Sequence, residues 1–168
     1  MDRELQKRFQ EIYQANQDRV YRLCRAYLGD SGEVDDLFQE VFVRVWQNLG
    51  GFRGEAAAST WIYRITVNTA LLWRKRQARR SAREILGLGG QLETLPSPPQ
   101  VRGTDPRIRP LLKAIAKLKP IDRMIVGMML ESLPYQEIAE ATGLSLNNVA
   151  VRVNRIKKRL KKELSPTN

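Results

Sequence analysis

Apolar residues recur along this chain at alternating steps of three and four, the spacing that puts side chains on one face of an α-helix. Over residues 9–28 the stripe is Phe9, Ile12, Tyr13, Val20, Leu23, Cys24, Tyr27 and Leu28, and Gly29 ends it. Asp30 or Ser31 is placed to cap the next helix. That helix is the clearest in the chain: Val34, Leu37, Phe38, Val41, Phe42, Val45 and Trp46 face one way, and Asp35, Asp36, Gln39, Arg44 and Gln47 the other. Its acid-rich start suits the positive end of the helix dipole. Leu49-Gly50-Gly51-Phe52-Arg53-Gly54 reads as a loop. Ser59 or Thr60 can cap a third helix, which begins at Trp61 and runs towards Glu84.

The rhythm then stops. Residues 85–106 hold Gly87, Gly89, Gly90, Pro96, Pro98, Pro99, Gly103 and Pro106, the composition of a flexible linker. Asp105-Pro106 has the form of an N-cap with a first-turn proline. Ile108, Leu111, Leu112, Ile115 and Leu118 mark the next helix. Pro120 opens another, with Ile121, Met124, Ile125, Met128 and Met129 inward. The expectation is an all-α chain of two small helical domains, residues 1–84 and 107–168, joined by the Gly/Pro-rich linker 85–106. The second would be a four-helix domain ending in a helix-turn-helix. That motif is Pro134-Tyr135-Gln136-Glu137-Ile138-Ala139-Glu140-Ala141-Thr142-Gly143-Leu144-Ser145-Leu146-Asn147-Asn148-Val149. Ala139 is small where two helices cross, Gly143 suits a turn that needs positive φ, Leu144 plugs the core, and Ser145 caps the second helix. Val149, Val153, Ile156 and Leu160 form that helix's buried stripe.

Charge sharpens this picture. The chain has 29 Lys and Arg against 18 Asp and Glu, a net charge of +11, which favours a polyanionic partner. The bases cluster: Arg74, Lys75, Arg76, Arg79, Arg80 and Arg83 close the third helix, and Arg152, Arg155, Lys157, Lys158, Arg159, Lys161 and Lys162 cover the last one. The alternative for each cluster is a merely solubilising helix face. The 168-residue chain has no histidine and one cysteine, Cys24. An internal disulfide, a Cys/His zinc site and histidine-based catalysis are therefore excluded. Cys24 lies on an apolar stripe and reads as a buried thiol. The start MDRELQKRF is too charged for a signal peptide, and no apolar run approaches a membrane span. A cytoplasmic protein with no cofactor, no metal, no small-molecule substrate and no membrane insertion is expected.

Taken together, three motifs resemble the extracytoplasmic-function group of bacterial RNA polymerase sigma factors. The first is Asp36-Leu37-Phe38-Gln39-Glu40-Val41-Phe42 with Trp46. The second is Phe52-Arg53-Gly54-Glu55, then Ser59-Thr60-Trp61-Ile62-Tyr63-Arg64-Ile65 and Asn68. The third is the helix-turn-helix with Arg152, Arg155 and Leu160. The resemblance runs from about Phe9 to Leu164. It implies a transcription initiation factor, not an enzyme, that binds core RNA polymerase and directs it to promoter DNA. It implies polymerase docking through Asp36, Gln39 and Glu40, whose alternative is a solvated polar face. It implies reading and opening of the minus-ten element through Trp61, Tyr63, Arg64 and Asn68, with Arg74, Lys75, Arg76, Arg79 and Arg80 on phosphates. It implies reading of the minus-thirty-five element through Asn147, Asn148, Ala150, Val151, Arg152, Asn154, Arg155, Lys158 and Arg159. Many members of the group carry a basic and a small polar residue where this chain has Ala150 and Val151. Many are also held inactive by an anti-sigma partner, which the resemblance implies here.

Promoter elements two helical turns apart lie about 70 Å apart. The 22-residue linker spans only about 26 Å as a free coil, but about 75 Å when stretched. The free protein is therefore expected to be more compact than the polymerase-bound one. Two other classes fit parts of the sequence: a two-domain regulator that binds a ligand or dimerises, and a magnesium-dependent nucleic-acid enzyme. The second is poorly served, because Asp35 and Asp36 point apart on a helix and Asp36 with Glu40 makes a thin metal site.

Overall fold

In the computed structural model, which describes residues 3–29, 31–54, 57–85 and 106–165, the chain is helical, with no strand among the described residues. The elements are α1 (Arg3–Leu28), α2 (Val34–Leu49), α3 (Ala58–Ile85), α4 (Arg109–Ala116), α5 (Pro120–Leu130), α6 (Tyr135–Thr142) and α7 (Leu146–Leu164). Most of the expected linker lies outside the described residues; α3 reaches Ile85, its last position.

Several helix ends differ from the sequence expectation, each for a local reason. α1 starts at Arg3, not near Phe9, because Glu4, Leu5, Gln6, Lys7 and Arg8 are good helix formers and Leu5 packs against the core. Asp30 lies outside the described residues, and Ser31 stands before α2, whose N-cap is Glu33 with no side-chain capping bond. The Glu33 carboxylate instead accepts a 2.7 Å bond from Gln77 Nε2 on α3. Ser59 and Thr60 do not cap α3; they sit in its first turn, and Trp61 N–H bonds the Ala57 carbonyl at 3.1 Å. Asp105 lies outside the described residues, Pro106 precedes α4 in a turn, and Pro110 opens that helix. The helix-turn-helix forms as expected. Gly143 closes α6 at φ +72°, and Ser145 Oγ accepts the Asn148 N–H at 3.2 Å to cap α7. Leu144, expected to plug the core, is only partly buried.

α1, α2 and α3 bury Leu23, Cys24, Leu37, Val41, Val45, Ile62 and Val67 among themselves and their neighbours. Tyr13 and Phe9 meet Phe42, and Phe9 meets Trp46, edge to face at 4.6 to 6.4 Å. α4–α7 enclose Ile115, Ile138, Val149, Val153 and Ile156.

The two halves pack on one another: α5 lies along α1, and α6 along α3. α5 makes this possible by burying Met124, Ile125, Val126, Gly127 and Met128 consecutively, so that it is apolar on every side. Gly127 sits at the crossing. A Cβ there would lie 2.7 Å from Leu23 Cδ2 and 3.2 Å from Ala26 Cβ. At the edges, Glu131 takes a two-pronged ion pair from Arg22, with Nη2 to Oε2 at 2.8 Å, and Arg19 stands 3.9 Å away. Arg123 Nη1 donates 2.8 Å to the Tyr27 carbonyl in the last turn of α1. Thr60 Oγ1 meets Glu137 Oε2 at 3.3 Å. One continuous apolar core therefore runs through both halves. Burial pushes the Cys24 thiol up to about 12, as expected of a structural cysteine.

Candidate docking and nucleic-acid faces

The outer face of α2 carries Asp36 and Gln39, both exposed, and Glu40, half-buried. With Val43, Arg44 and Gln47 they line a shallow groove. Val43 is 53% exposed at its centre, an apolar contact point that the sequence reading did not single out. Glu40 Oε1 accepts Arg44 Nη2 at 2.9 Å from its own helix and Arg76 Nη1 at 2.8 Å from α3. One carboxylate thus joins a candidate docking residue to a candidate DNA residue. Asp35 turns away, to the Tyr21 phenol, which burial first and this carboxylate second hold above its ordinary range. No cluster of three potential metal ligands occurs among the described residues.

α3 presents Trp61, Arg64, Asn68, Lys75 and Arg79 on one face, at steps of three, four and seven. Arg64, Asn68, Lys75, Arg79 and Arg80 are exposed, and so is Leu72, at 41%, which falls beside the same stripe. Trp61 is half-buried. Its ring stacks on Phe52 at 4.6 Å, and Phe52 in turn lies under the Arg8 guanidinium, 5.3 Å from the ring centre. This aromatic pair fixes the glycine loop against the start of α3.

Tyr63 does not join that face. It is 1% exposed, and burial holds its phenol above the ordinary range, with Arg19 pulling it back and Glu131 and Glu137 nearby. Two residues after Trp61 on a helix is about 200° round the axis, so the two rings cannot share a face. Arg74 also points elsewhere, towards the Tyr27 phenol.

On α7, Val149, Val153 and Ile156 are buried and Leu160 partly so. Asn147, Val151, Asn154 and Lys158 are all exposed and fall diametrically opposite, at steps of four, three and four. Arg155 is exposed on one shoulder of this stripe, and Ala150 is half-buried on the other. Arg152 does not belong to it. Its Nη1 bonds Asp122 Oδ1 at 2.8 Å and its Nε bonds Asn148 Oδ1 at 3.0 Å, tying α7 to α5 and occupying the Asn148 amide oxygen. Arg159 Nη2 similarly donates 3.1 Å to the Lys117 carbonyl at the end of α4. The resemblance implies DNA contacts for both; in the structure each is bonded within the C-terminal half. α7 packs on α4, α5 and α6 and makes no contact with α1, α2 or α3.

Residues 12–80 match the Sigma-70 region 2 family, and residues 108–160 match the Sigma-70, region 4 family. The ECF RNA polymerase sigma-E factor of Escherichia coli K12 is 29% identical over 170 residues, covering 96% of this chain and 88% of its own length. The sigma factor RpoE from Bartonella quintana, solved in complex with the anti-sigma factor NepR, has the same fold at a TM-score of 0.73 and 20% identity, covering 96% of this chain and 99% of that one. CnrH, solved with the cytosolic domain of CnrY, superposes at a TM-score of 0.67 and 22% identity, covering 95% and 88%. The chain belongs to the sigma-70 family, as one of the extracytoplasmic-function sigma factors. It is a promoter-directing transcription initiation factor and not an enzyme. No helix among the described residues is long and apolar enough to cross a membrane.

Proposed function

We propose that residues 1–84 dock on core RNA polymerase and handle the minus-ten element, that 85–106 act as the connecting linker, and that 107–168 read the minus-thirty-five element. Docking runs through Asp36, Gln39 and Glu40, with Val43 as the apolar centre of the same groove. Melting uses the α3 stripe of Trp61, Arg64, Asn68, Lys75 and Arg79, with Arg80 alongside. Polar and basic groups there hold the backbone, and the Trp61 ring edge is offered to an unstacked base. Duplex reading uses Asn147, Val151, Asn154, Arg155 and Lys158. The observation that carries the assignment is the outward α7 stripe, opposite the core on a capped second helix of a helix-turn-helix, the element that fits the major groove.

The packed halves are a resting form. Two elements about 70 Å apart cannot be reached together while Gly127 rests on Leu23. Polymerase would hold the halves apart with the linker extended. The sigma factor RpoE, solved in complex with the anti-sigma factor NepR, supports a similar partner here, and the work of initiation suits a cytoplasmic protein.

The test is a pull-down of core RNA polymerase followed by transcription from a genomic library. Stoichiometric binding, lost in Gln39→Ala with Glu40→Arg, together with new defined start sites, is the expected result. Salt-sensitive duplex binding without core binding would instead make the chain a helix-turn-helix regulator.

A further inference from the structure

The chemistry of the outward α7 stripe is unusual for a basic protein. Of its four exposed residues, two are amides, one is an aliphatic side chain, and one is a lysine at the far end. Val151 stands at the middle, 46% exposed, with Asn147 one turn before it and Asn154 one turn after. Nothing elsewhere in the described chain packs on it, since α7 touches only α4, α5 and α6. A lone exposed valine needs no explanation by itself. This one sits at the centre of a surface otherwise made of hydrogen-bonding and cationic groups. The arginine next to it, Arg152, is withdrawn onto Asp122 and Asn148, and Arg159 onto the Lys117 carbonyl.

Base edges in the major groove discriminate among such side chains. Guanine is matched best by a guanidinium or ammonium on O6 and N7, adenine by an Asn or Gln amide on N6 and N7, and thymine by an apolar group on its C5 methyl. The first three positions of the stripe, Asn147, Val151 and Asn154, supply the other two matches, and its cations, Lys158 with Arg155 on the shoulder, come only after Val151 along the helix.

We infer that the duplex element recognised by α7 is read at A·T pairs, with Val151 packed on a thymine C5 methyl and the Asn147 and Asn154 amides on adenine edges. Lys158 and Arg155, further along and on the shoulder, take phosphates. This rests on the assignment of α7 to duplex reading made above. It names Val151 as the specificity-determining residue, and its ligand as one methyl group.

Deoxyuridine lacks that methyl and is otherwise thymine. The probe is a promoter duplex recovered by transcribing a genomic library with the core-bound full chain. It is remade with deoxyuridine for thymine, one position at a time, across the upstream element. At one or two positions the replacement should weaken holoenzyme binding about fourfold, the worth of one buried methyl. Val151→Ala should weaken the thymine duplex by a similar factor and abolish the difference between thymine and deoxyuridine. Val151 is exposed, so the variant keeps its fold. A duplex indifferent to deoxyuridine throughout the upstream element would overturn the inference. So would a thymine preference of the same size in Val151→Ala. If the core-bound chain yields no start sites at all, the duplex-reading assignment falls together with it, an outcome plainly different from start sites that ignore the methyl.

Discussion

The molecule has two candidate DNA surfaces, and they stand in opposite situations. The α7 stripe belongs to a helix held only by its own half, with Arg152 and Arg159 fastening it from behind and the reading face left clear. The α3 surface belongs to a helix gripped from both halves. Thr60 meets Glu137, Tyr63 is buried beside Glu131, Trp61 is stacked on Phe52, and Arg76 is paired with Glu40. A duplex reader can be finished in the free protein, because its target is already formed. A strand-opening surface that stood ready would meet any single strand, and here the C-terminal half lies against the start of that helix.

The sharpest way to separate the two situations is to truncate one residue of each helix, the buried Tyr63 of α3 and the exposed Val151 of α7. Tyr63→Ala removes a fully buried ring and should cost about 3–5 kcal/mol of stability. Val151→Ala should leave urea denaturation within about 0.5 kcal/mol of the parent. If both variants were equally stable, the burial assigned to Tyr63 would be wrong. Next in size is Gly127→Val. Its added carbons meet Leu23 and Ala26, and overpacking of this kind costs about 1–3 kcal/mol. The strain is relieved when the halves part, so the radius of gyration from small-angle scattering should rise. Oxidative footprinting at Tyr63 should increase while that at Val151 stays constant; equal protection at Tyr63 would mean the second half does not cover it.

A smaller effect is expected of Arg152→Ala and of Asp122→Asn. Each should lower stability by about 1 kcal/mol, and the double variant should lose little more than either alone. By contrast, Arg155→Ala and Lys158→Ala should leave stability alone and reduce the salt dependence of duplex binding by about 0.9 in log–log slope for each. A further effect, confined to alkaline solution, concerns pH. Cys24 titrates near 9 when unfolded but is pushed up to about 12 by burial in the folded chain. Its contribution is complete below pH 9 and is lost progressively as pH rises towards 12. Tyr27 and Tyr63, also raised by burial, add to the fall above their ordinary value near 10. Urea midpoints should be flat from pH 6 to 8 and decline beyond, with the onset blunted in Cys24→Ala.

Much of this was legible in the chain itself. The α2 stripe, the Gly143 turn and the Ser145 cap are local signals, set by side-chain period, backbone conformation and one hydrogen bond, and each of them fixes an element without reference to the rest. The membership of a face was less legible, because motif proximity along the sequence hides angular separation. Tyr63 lies two residues from Trp61 in one motif, yet helical geometry sets them apart, and Arg152 and Arg159 lie among basic neighbours, yet each points to an acceptor inside its own half. The docking of the halves was the least visible. Its marker is the unbroken apolar run Met124-Ile125-Val126-Gly127-Met128, which exceeds what a helix with one buried side needs, and whose glycine has meaning only once Leu23 is opposite it.

The carboxylate of Glu40 carries one more implication. It lines the groove proposed to meet polymerase and also pairs with Arg76 of α3, so on that proposal its occupancy is shared between two binding equilibria. Any partner that claims Glu40 leaves the Arg76 charge uncompensated and raises its affinity for phosphate. By reciprocity, phosphate on Arg76 frees Glu40 for that partner by the same factor. If Glu40 takes the proposed docking role and Arg76 meets phosphate, the two events are thermodynamically linked through a single exchangeable ion pair, with no movement of the helices required.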